Sequence, residues 1–229
     1  MVSIICCTMR DSFMDKIFQN YVRQNIEKKE MIIVLNRDHM EIGKWNKKAS
    51  EYKNVSVYQL AEKYTLGKCL NYGMTKTKYN IVAKFDDDDY YAANYLKESL
   101  DALKDTEASI IGKETSFLYF EEKEALMLYR EGGENNYSRK VKGGTLVFFK
   151  SVWEKVKFNE TKVNGSDNHF LNKCRRNGYK IYSVSRNNYV CVRREDISTH
   201  TQKRTTAEFM DRCKLICYTN NYIPLITKD

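Results

Sequence analysis

Ile81-Val82-Ala83-Lys84-Phe85-Asp86-Asp87-Asp88-Asp89-Tyr90-Tyr91 joins an apolar, strand-forming run to four consecutive carboxylates. Adjacent aspartates repel one another, so a fold that gathers them at a strand end must relieve that repulsion. A divalent cation does so, and hard oxygen ligands suit Mg²⁺, Mn²⁺ or Ca²⁺. The plain alternative is a solvated acidic turn that caps the next helix, as charge runs commonly are. The surrounding sequence decides between them.

Upstream of the aspartates, strands alternate with helices. Val2 to Cys7 is a nearly continuous apolar run, the mark of a strand buried on both faces. Phe13, Ile17, Phe18, Tyr21, Val22 and Ile26 recur at helical spacing, with Asp11 or Ser12 available as an N-cap. Met31 to Leu35 reads as a second buried strand, His39 to Tyr52 as a polar helical stretch, Val55 to Tyr58 as a third strand and Leu66 to Met74 as a short helix. Ile81 to Phe85 is the fourth strand. A helix marked by Tyr95, Leu96, Leu100 and Leu103 follows, then a strand at Ala108 to Ile111. This alternation predicts an α/β fold with a mostly parallel sheet and helices on both faces. Such sheets bind ligands beyond the carboxyl ends of their strands, where strand order reverses. The aspartates fall at one such end.

The second half has a different texture. Phe117 to Phe120 and Leu126 to Tyr129 flank Glu121 to Glu124 as a hairpin, and Gly143-Gly144 leads into a strand at Thr145 to Phe149. Asp167 to Asn177 reads as a helix closed by Gly178. Strands are expected at Tyr179 to Val184 and Tyr189 to Val192. A last helix is expected at Ala207 to Tyr218, with Cys213 and Cys217 one turn apart as core positions. With no repeat and no linker, residues 1–229 are expected to form one domain with a mixed C-terminal part.

Composition bounds the function. No stretch reaches the apolar length of a membrane span, and Met1-Val2-Ser3-Ile4-Ile5 carries no basic leader, so no signal peptide is expected. Seven cysteines without a CxxC pair point to reduced thiols in a cytoplasmic protein rather than disulfides or zinc. The net charge of +9 is uneven: Arg139 to Lys214 holds 18 Lys and Arg against 7 Asp and Glu, a net of +11. That field suits nucleic acid, an anionic membrane surface or a phosphate-rich ligand, or is simply a basic surface.

Four patterns then fall in order: Leu66-Gly67-Lys68-Cys69-Leu70-Asn71-Tyr72-Gly73, Phe85 to Tyr90, Gly143-Gly144-Thr145, and Gly165-Ser166-Asp167-Asn168-His169-Phe170. Together they resemble the nucleotide-sugar-dependent glycosyltransferases of family 2, with the GT-A fold, over nearly the whole chain. The resemblance implies a nucleotide-sugar-binding half to about residue 112 and an acceptor-binding half from about 113. It implies that the Cys7 to Arg10 loop, with Thr8 and Arg10, lines the nucleotide, and that Asn36 and Asp38 face the base. Asn36 both donates and accepts, which suits uracil; a turn with a helix N-cap is the alternative for this pair. Gly67, Lys68 and Asn71 match the segment near the diphosphate, although Leu70 stands where arginine is usual and Lys68 is otherwise a surface lysine. Asp86, Asp87 and Asp88 match the aspartate-x-aspartate motif, with Asp88 as ligand of Mn²⁺ or Mg²⁺, Asp86 in the ribose or metal shell, and Asp87 beside the nucleotide. Asp89 braces the site or caps the next helix.

In the same resemblance Asp167 is the general base, Ser166 stands where glutamate is usual, and Gly143, Gly144 and Ser166 border the acceptor; a helix N-cap is the plain alternative for Asp167 and a tight turn for the two glycines. A late histidine, His200, is a candidate metal ligand, and Arg193, Arg194, Lys203 and Arg204 are candidates to clamp the diphosphate. The implied reaction is inverting transfer from a UDP-sugar to a saccharide or lipid-linked acceptor hydroxyl. The implied setting is the cytoplasm, peripheral to an anionic membrane, in bacterial cell-surface polysaccharide or glycoconjugate synthesis. Two rivals stand: a metal-dependent nucleotidyl-transferring or nucleic-acid-binding enzyme, and an inactive nucleotide-sugar-binding module. Nucleic acid is disfavoured because the aromatic residues do not interleave with the basic ones as a stacking platform.

Overall fold

The computed structural model describes residues 1–196 and 205–228. The first half runs β1 (Val2–Thr8), α1 (Met14–Arg23), β2 (Lys29–Leu35), α2 (Ile42–Ala49), β3 (Val55–Gln59), α3 (Leu66–Lys76) and β4 (Ile81–Asp86). It continues through β5 (Tyr90–Tyr91), α4 (Tyr95–Asp105) and β6 (Ile110–Gly112). The hairpin β7 (Ser116–Phe120) and β8 (Ala125–Tyr129) follows, then β9 (Asn136–Tyr137), β10 (Val147–Phe149), α5 (Lys150–Lys155) and α6 (Ser166–Arg176). The chain ends with β11 (Ile181–Ser183), β12 (Tyr189–Arg193), α7 (Thr206–Met210), β13 (Cys213–Tyr218) and α8 (Ile223–Ile226).

Eight strands form one sheet in the order β3-β2-β1-β4-β10-β6-β11-β9. β3, β2, β1 and β4 are parallel, and β10 enters antiparallel beside β4. The chain moves outward from β1 to β3, then returns to the other side of β1 as β4. Strand order therefore reverses between β1 and β4, where Cys7 is in register with Asp86. A five-stranded sheet, β13-β8-β7-β12-β5, forms beside it, and β5 brings the residues just after the aspartates into it.

The continuous apolar runs have a simple cause. Val2, Ile4 and Cys6 pack against α1, α2 and α4, while Ile5, Ile32 and Val34 pack against α3 on the other face. Both faces of the sheet are covered, so strand periodicity is erased from the sequence.

Two expectations change. Asp11 does not cap α1, whose N-terminus has no side-chain cap; its carboxylate instead accepts a hydrogen bond from Trp45 Nε1 at 2.6 Å. The expected last helix is short, and Cys213 to Tyr218 is an edge strand on β8. A bulge between Leu215 and Cys217 inserts Ile216 into that strand. The extra residue reverses the side-chain parity, so Cys213 packs on one face of the sheet and Cys217 on the other. Their four-residue spacing therefore marks neither a helical turn nor a shared face.

α6 is seated by Phe170, which is fully buried and stacks on Phe158 with ring centroids 4.3 Å apart. Phe170→Ala is expected to cost about 3–5 kcal/mol in urea-induced unfolding. A cost under about 1 kcal/mol would show that this face does not anchor the helix.

Candidate active site

Each of the four aspartates has its own partners. Lys84 Nζ donates to Asp86 Oδ1 at 2.5 Å. Asp87 accepts from the Thr8 hydroxyl at 2.6 Å and from Arg10 Nε at 3.1 Å, with Arg10 Nη2 on its other oxygen. Asp88 Oδ2 lies 3.2 Å from Arg10 Nη2 and 2.9 Å from Arg194 Nη1. Asp89 accepts from the Tyr189 hydroxyl and, at 3.2 Å, from the Val192 backbone N–H. Exposure alternates in step: the Asp86 and Asp88 side chains are 37% and 16% exposed, whereas Asp87 and Asp89 are buried. The repulsion that the sequence poses is thus balanced by three protein cations together with hydroxyl and amide donors.

α1 clamps the backbone of the same loop. Lys16 Nζ donates to the Asp88 carbonyl and Asn20 Nδ2 to the Asp89 carbonyl, both at 2.9 Å. Burial pushes the Asp89 carboxyl up to about 7, and the neighbouring charges of Asp88 and Asp86 add to the rise.

Lys84 sits in the middle of β4 with its side chain 4% exposed. Its ammonium donates to Asp86, reaches the Gly143 carbonyl at 3.3 Å, and pairs with Asp167 Oδ2 at 3.3 Å. Burial pushes this ammonium down, but the charges of Asp167 and Asp86 outweigh that effect and hold it above the ordinary lysine value. One cation thereby joins the end of β4 to the start of α6. The sequence reading passes over Lys84, taking it as part of an apolar run.

The two glycines make this approach possible. A Cβ on Gly143 would stand 2.1 Å from Asp167 Oδ2. One on Gly144 would meet Asp86 Oδ2 at 2.7 Å, Asp89 Oδ2 at 2.9 Å and the Tyr189 hydroxyl at 3.1 Å. Tyr91, stacked on Phe85 at 3.8 Å, ties the two segments: its hydroxyl donates to the Gly144 carbonyl and accepts from the Asp86 N–H. Asp167 Oδ1 is buried and unpartnered, as is the hydroxyl of buried Ser166.

The remaining predicted residues divide. Asn36 follows β2; its N–H donates to the Thr8 carbonyl at 2.8 Å and its side-chain amide to the Ala61 carbonyl at 2.9 Å. Asp38 accepts from the Glu62 N–H at 3.1 Å. Both therefore brace the loop after β3. Gly67 abuts the Asn159 carbonyl, where a Cβ would stand 1.9 Å away. Asn71 donates to the Phe158 carbonyl and Glu160, and accepts from Trp153 Nε1 and the Phe158 N–H. Lys68 pairs with Glu160 at 2.9 Å. Asn71 and Lys68 thus hold the 158–160 segment, because Glu160, to which the sequence reading gives no role, takes both. Arg193 stacks over Phe209. His200, Lys203 and Arg204 lie outside the described residues.

Among the described residues no group of three or more His, Cys, Asp or Glu side chains could hold a metal. The donors of Asp86 and Asp88 are hard carboxylate oxygens, both partly open. This set fits Mg²⁺ or Mn²⁺, which bind through one or two carboxylates when substrate phosphates supply the rest.

The fold is that of the GT-A glycosyltransferases. The chain matches the glycosyl transferase family 2 model over residues 3–153 and belongs to that family. It is 38% identical over 92 residues to the O-antigen biosynthesis glycosyltransferase WbnJ of Escherichia coli, covering 39% of this chain and 36% of that protein. It superposes on S. aureus TarS 1–349 with a TM-score of 0.65 at 14% identity, covering 83% of this chain and 60% of TarS. A second TarS structure holds UDP-GlcNAc (TM-score 0.65, 16% identity, 85% and 59% of the two chains). The mannosyltransferase PcManGT of Pyrobaculum calidifontis, bound to GDP-Man and Mn²⁺, matches with a TM-score of 0.63 at 15% identity, covering 84% and 56%. The chain thus spans about a third of the WbnJ relative and three fifths or less of these structures. At these identities the superpositions speak for the fold.

Lys84→Met would leave Asp86 and Asp167 facing each other without their cation. The expected loss is about 3 kcal/mol in urea unfolding, reduced from a fully buried pair because both carboxylates are partly solvated. Unchanged stability would show that the two carboxylates do not depend on it.

Proposed function

We propose that this chain transfers a sugar from a UDP-sugar to an acceptor hydroxyl with inversion, using Asp167 as the base. The observation that carries the reading is the Asp167 carboxylate. One oxygen is held by Lys84 and the other is buried and unpartnered, beside the carboxylates at the strand-order switch. A buried acceptor without a donor is costly unless a ligand satisfies it. An acceptor hydroxyl would supply that donor. Its oxygen forms the new bond at the anomeric carbon while the bond to the diphosphate breaks on the opposite face, and its proton passes to the Asp167 carboxylate.

Asp88 and Asp86 would hold Mn²⁺ or Mg²⁺, which when bound neutralises the charge of the leaving diphosphate. Arg10 and Arg194, both already at Asp88, bring positive charge to the same place. Lys84 keeps Asp86 and Asp167 apart in role but joined in position. Asn36 keeps its carbonyl and a second amide hydrogen beyond the bond to Ala61, which supports uracil as the base. We assign the acceptor to a saccharide, free or lipid-linked, in polysaccharide or glycoconjugate synthesis. Peripheral contact with an anionic membrane in the cytoplasm is in keeping with the +11 charge of residues 139–214. No helix among the described residues is long and apolar enough to cross a membrane.

The test is UDP binding by calorimetry and turnover on a panel of UDP-sugars with Mn²⁺. Asp167→Asn is expected to lower turnover by about 10²–10⁴-fold with UDP affinity unchanged. Absence of both UDP binding and turnover in the unmodified chain would overturn the reading.

A further inference from the structure

Asp88 carries protein cations where a metal is expected. Its Oδ2 holds two guanidiniums, Arg10 Nη2 at 3.2 Å and Arg194 Nη1 at 2.9 Å. Both guanidinium carbons lie over the Phe13 ring, 4.5 and 5.0 Å from its centroid. A cation above an aromatic face is attracted by the ring quadrupole, so Phe13 helps to hold both charges where they are. Lys16 brings a third cation to the same ring, and its ammonium donates to the Asp88 carbonyl.

The two arginines are not equivalent. Arg10 is anchored on Asp87, by Nε at 3.1 Å and by Nη2 on the other oxygen. Its contact with Asp88 is the longer one, and it keeps Asp87 if Asp88 is taken. Arg194 makes the shorter contact with Asp88, and its side chain is only 14% exposed. Its backbone follows β12, where the Val192 N–H is fixed to Asp89 at 3.2 Å. A change of partner at Arg194 can therefore be met by side-chain rotation, with β12 in place. Whichever oxygen of Asp88 a dication takes, it would stand beside both guanidiniums, and like charges this close repel. A guanidinium pushed off its carboxylate in a largely buried place is costly, because water compensates it poorly. A diphosphate arriving with the metal removes that cost, since phosphate oxygens accept charge-assisted bonds from a guanidinium.

We infer that Arg194 competes with the metal for Asp88, so that metal and nucleotide diphosphate enter the site as a pair. This rests on the reading of Asp88 as a metal ligand and of UDP as the donor nucleotide. Without nucleotide, Arg194 stands in for the metal at Asp88. With nucleotide, its guanidinium exchanges the carboxylate for the diphosphate and leaves Asp88 to the metal, while Arg10 stays on Asp87. By linkage, Mn²⁺ and UDP raise each other's affinity by the same factor. Arg194 supplies part of that factor, beyond what direct coordination of the diphosphate by the metal contributes.

The test measures Mn²⁺ binding to the full chain without nucleotide, from the free-ion signal in electron paramagnetic resonance. UDP binding is measured by calorimetry with and without Mn²⁺, and folding of each variant by urea unfolding. Arg194→Gln removes the charge and keeps a polar side chain. It is expected to bind Mn²⁺ alone at least about tenfold more tightly than the unmodified chain, because one repelling charge is gone. The factor by which Mn²⁺ tightens UDP should fall correspondingly. Arg194→Lys keeps the charge and should stay close to the unmodified chain. Adding Asp88→Asn to Arg194→Gln should abolish the gain, which places the ion at Asp88. A residue that merely shaped the site would lower Mn²⁺ affinity when replaced, not raise it. Mn²⁺ binding that is unchanged, weaker or undetectable in Arg194→Gln would overturn the proposal. So would a gain that survives Asp88→Asn or is matched by Arg194→Lys. In the unmodified chain itself, Mn²⁺ that binds as tightly without UDP as with it would also overturn it. If UDP and Asp88-dependent Mn²⁺ binding are both intact, such a failure leaves the donor-site reading standing. Absence of UDP binding would instead overturn that reading and this proposal with it.

Discussion

The site is organised by one buried ammonium. Lys84 reaches from the middle of a parallel strand to carboxylates on two segments, Asp86 on its own strand and Asp167 on α6. The ammonium between them offsets the repulsion of two carboxylates drawn to one point. The Gly143-Gly144 turn removes the side chains that would otherwise fill the space, and Tyr91 fastens that turn to the end of β4. A charge pair, two missing Cβ atoms and one hydroxyl thus bring the end of β4, the Gly143-Gly144 turn and the start of α6 together.

The four aspartates divide the work by parity. Asp87 and Asp89 are buried and consume their oxygens on Thr8, Arg10, Tyr189 and the Val192 N–H, fixing the loop to β1 and β12. Asp86 and Asp88 keep exposed oxygen surface beside Arg10, Arg194 and Lys84. A loop so held from beneath leaves these two carboxylates partly open. That preorganisation is what the proposed metal–diphosphate role would draw on.

Much of this could be read in the sequence. The buried parallel strands announce themselves as apolar runs, and the segments carrying the glycine, aspartate and Asp167 motifs do meet in the fold, around Lys84. What escaped did so for physical reasons. Lys84 is one polar residue inside an apolar run, and only the fold reveals that two carboxylates converge on it. Lys68 and Asn71 carry a motif-like spacing, yet their hydrogen bonds are consumed by Glu160, Trp153 and the Phe158 backbone, all distant in sequence. Cys213 and Cys217 are spaced as on a helical turn, yet they lie on a strand whose bulge at Ile216 sets them on opposite faces. Arg194 is named from the sequence as a diphosphate clamp, but its pairing with Asp88 joins residues far apart in the chain and has no local signature.

The most direct test of the division among the aspartates is to replace each singly by Asn and measure unfolding free energy and Mn²⁺-dependent UDP affinity on the same samples. The account predicts that Asp88→Asn loses UDP affinity with little loss of stability. Asp87→Asn and Asp89→Asn should lose stability first, with Asp86→Asn affecting both. Equal, small effects on both quantities at all four positions would contradict it and return the run to a solvated acidic turn.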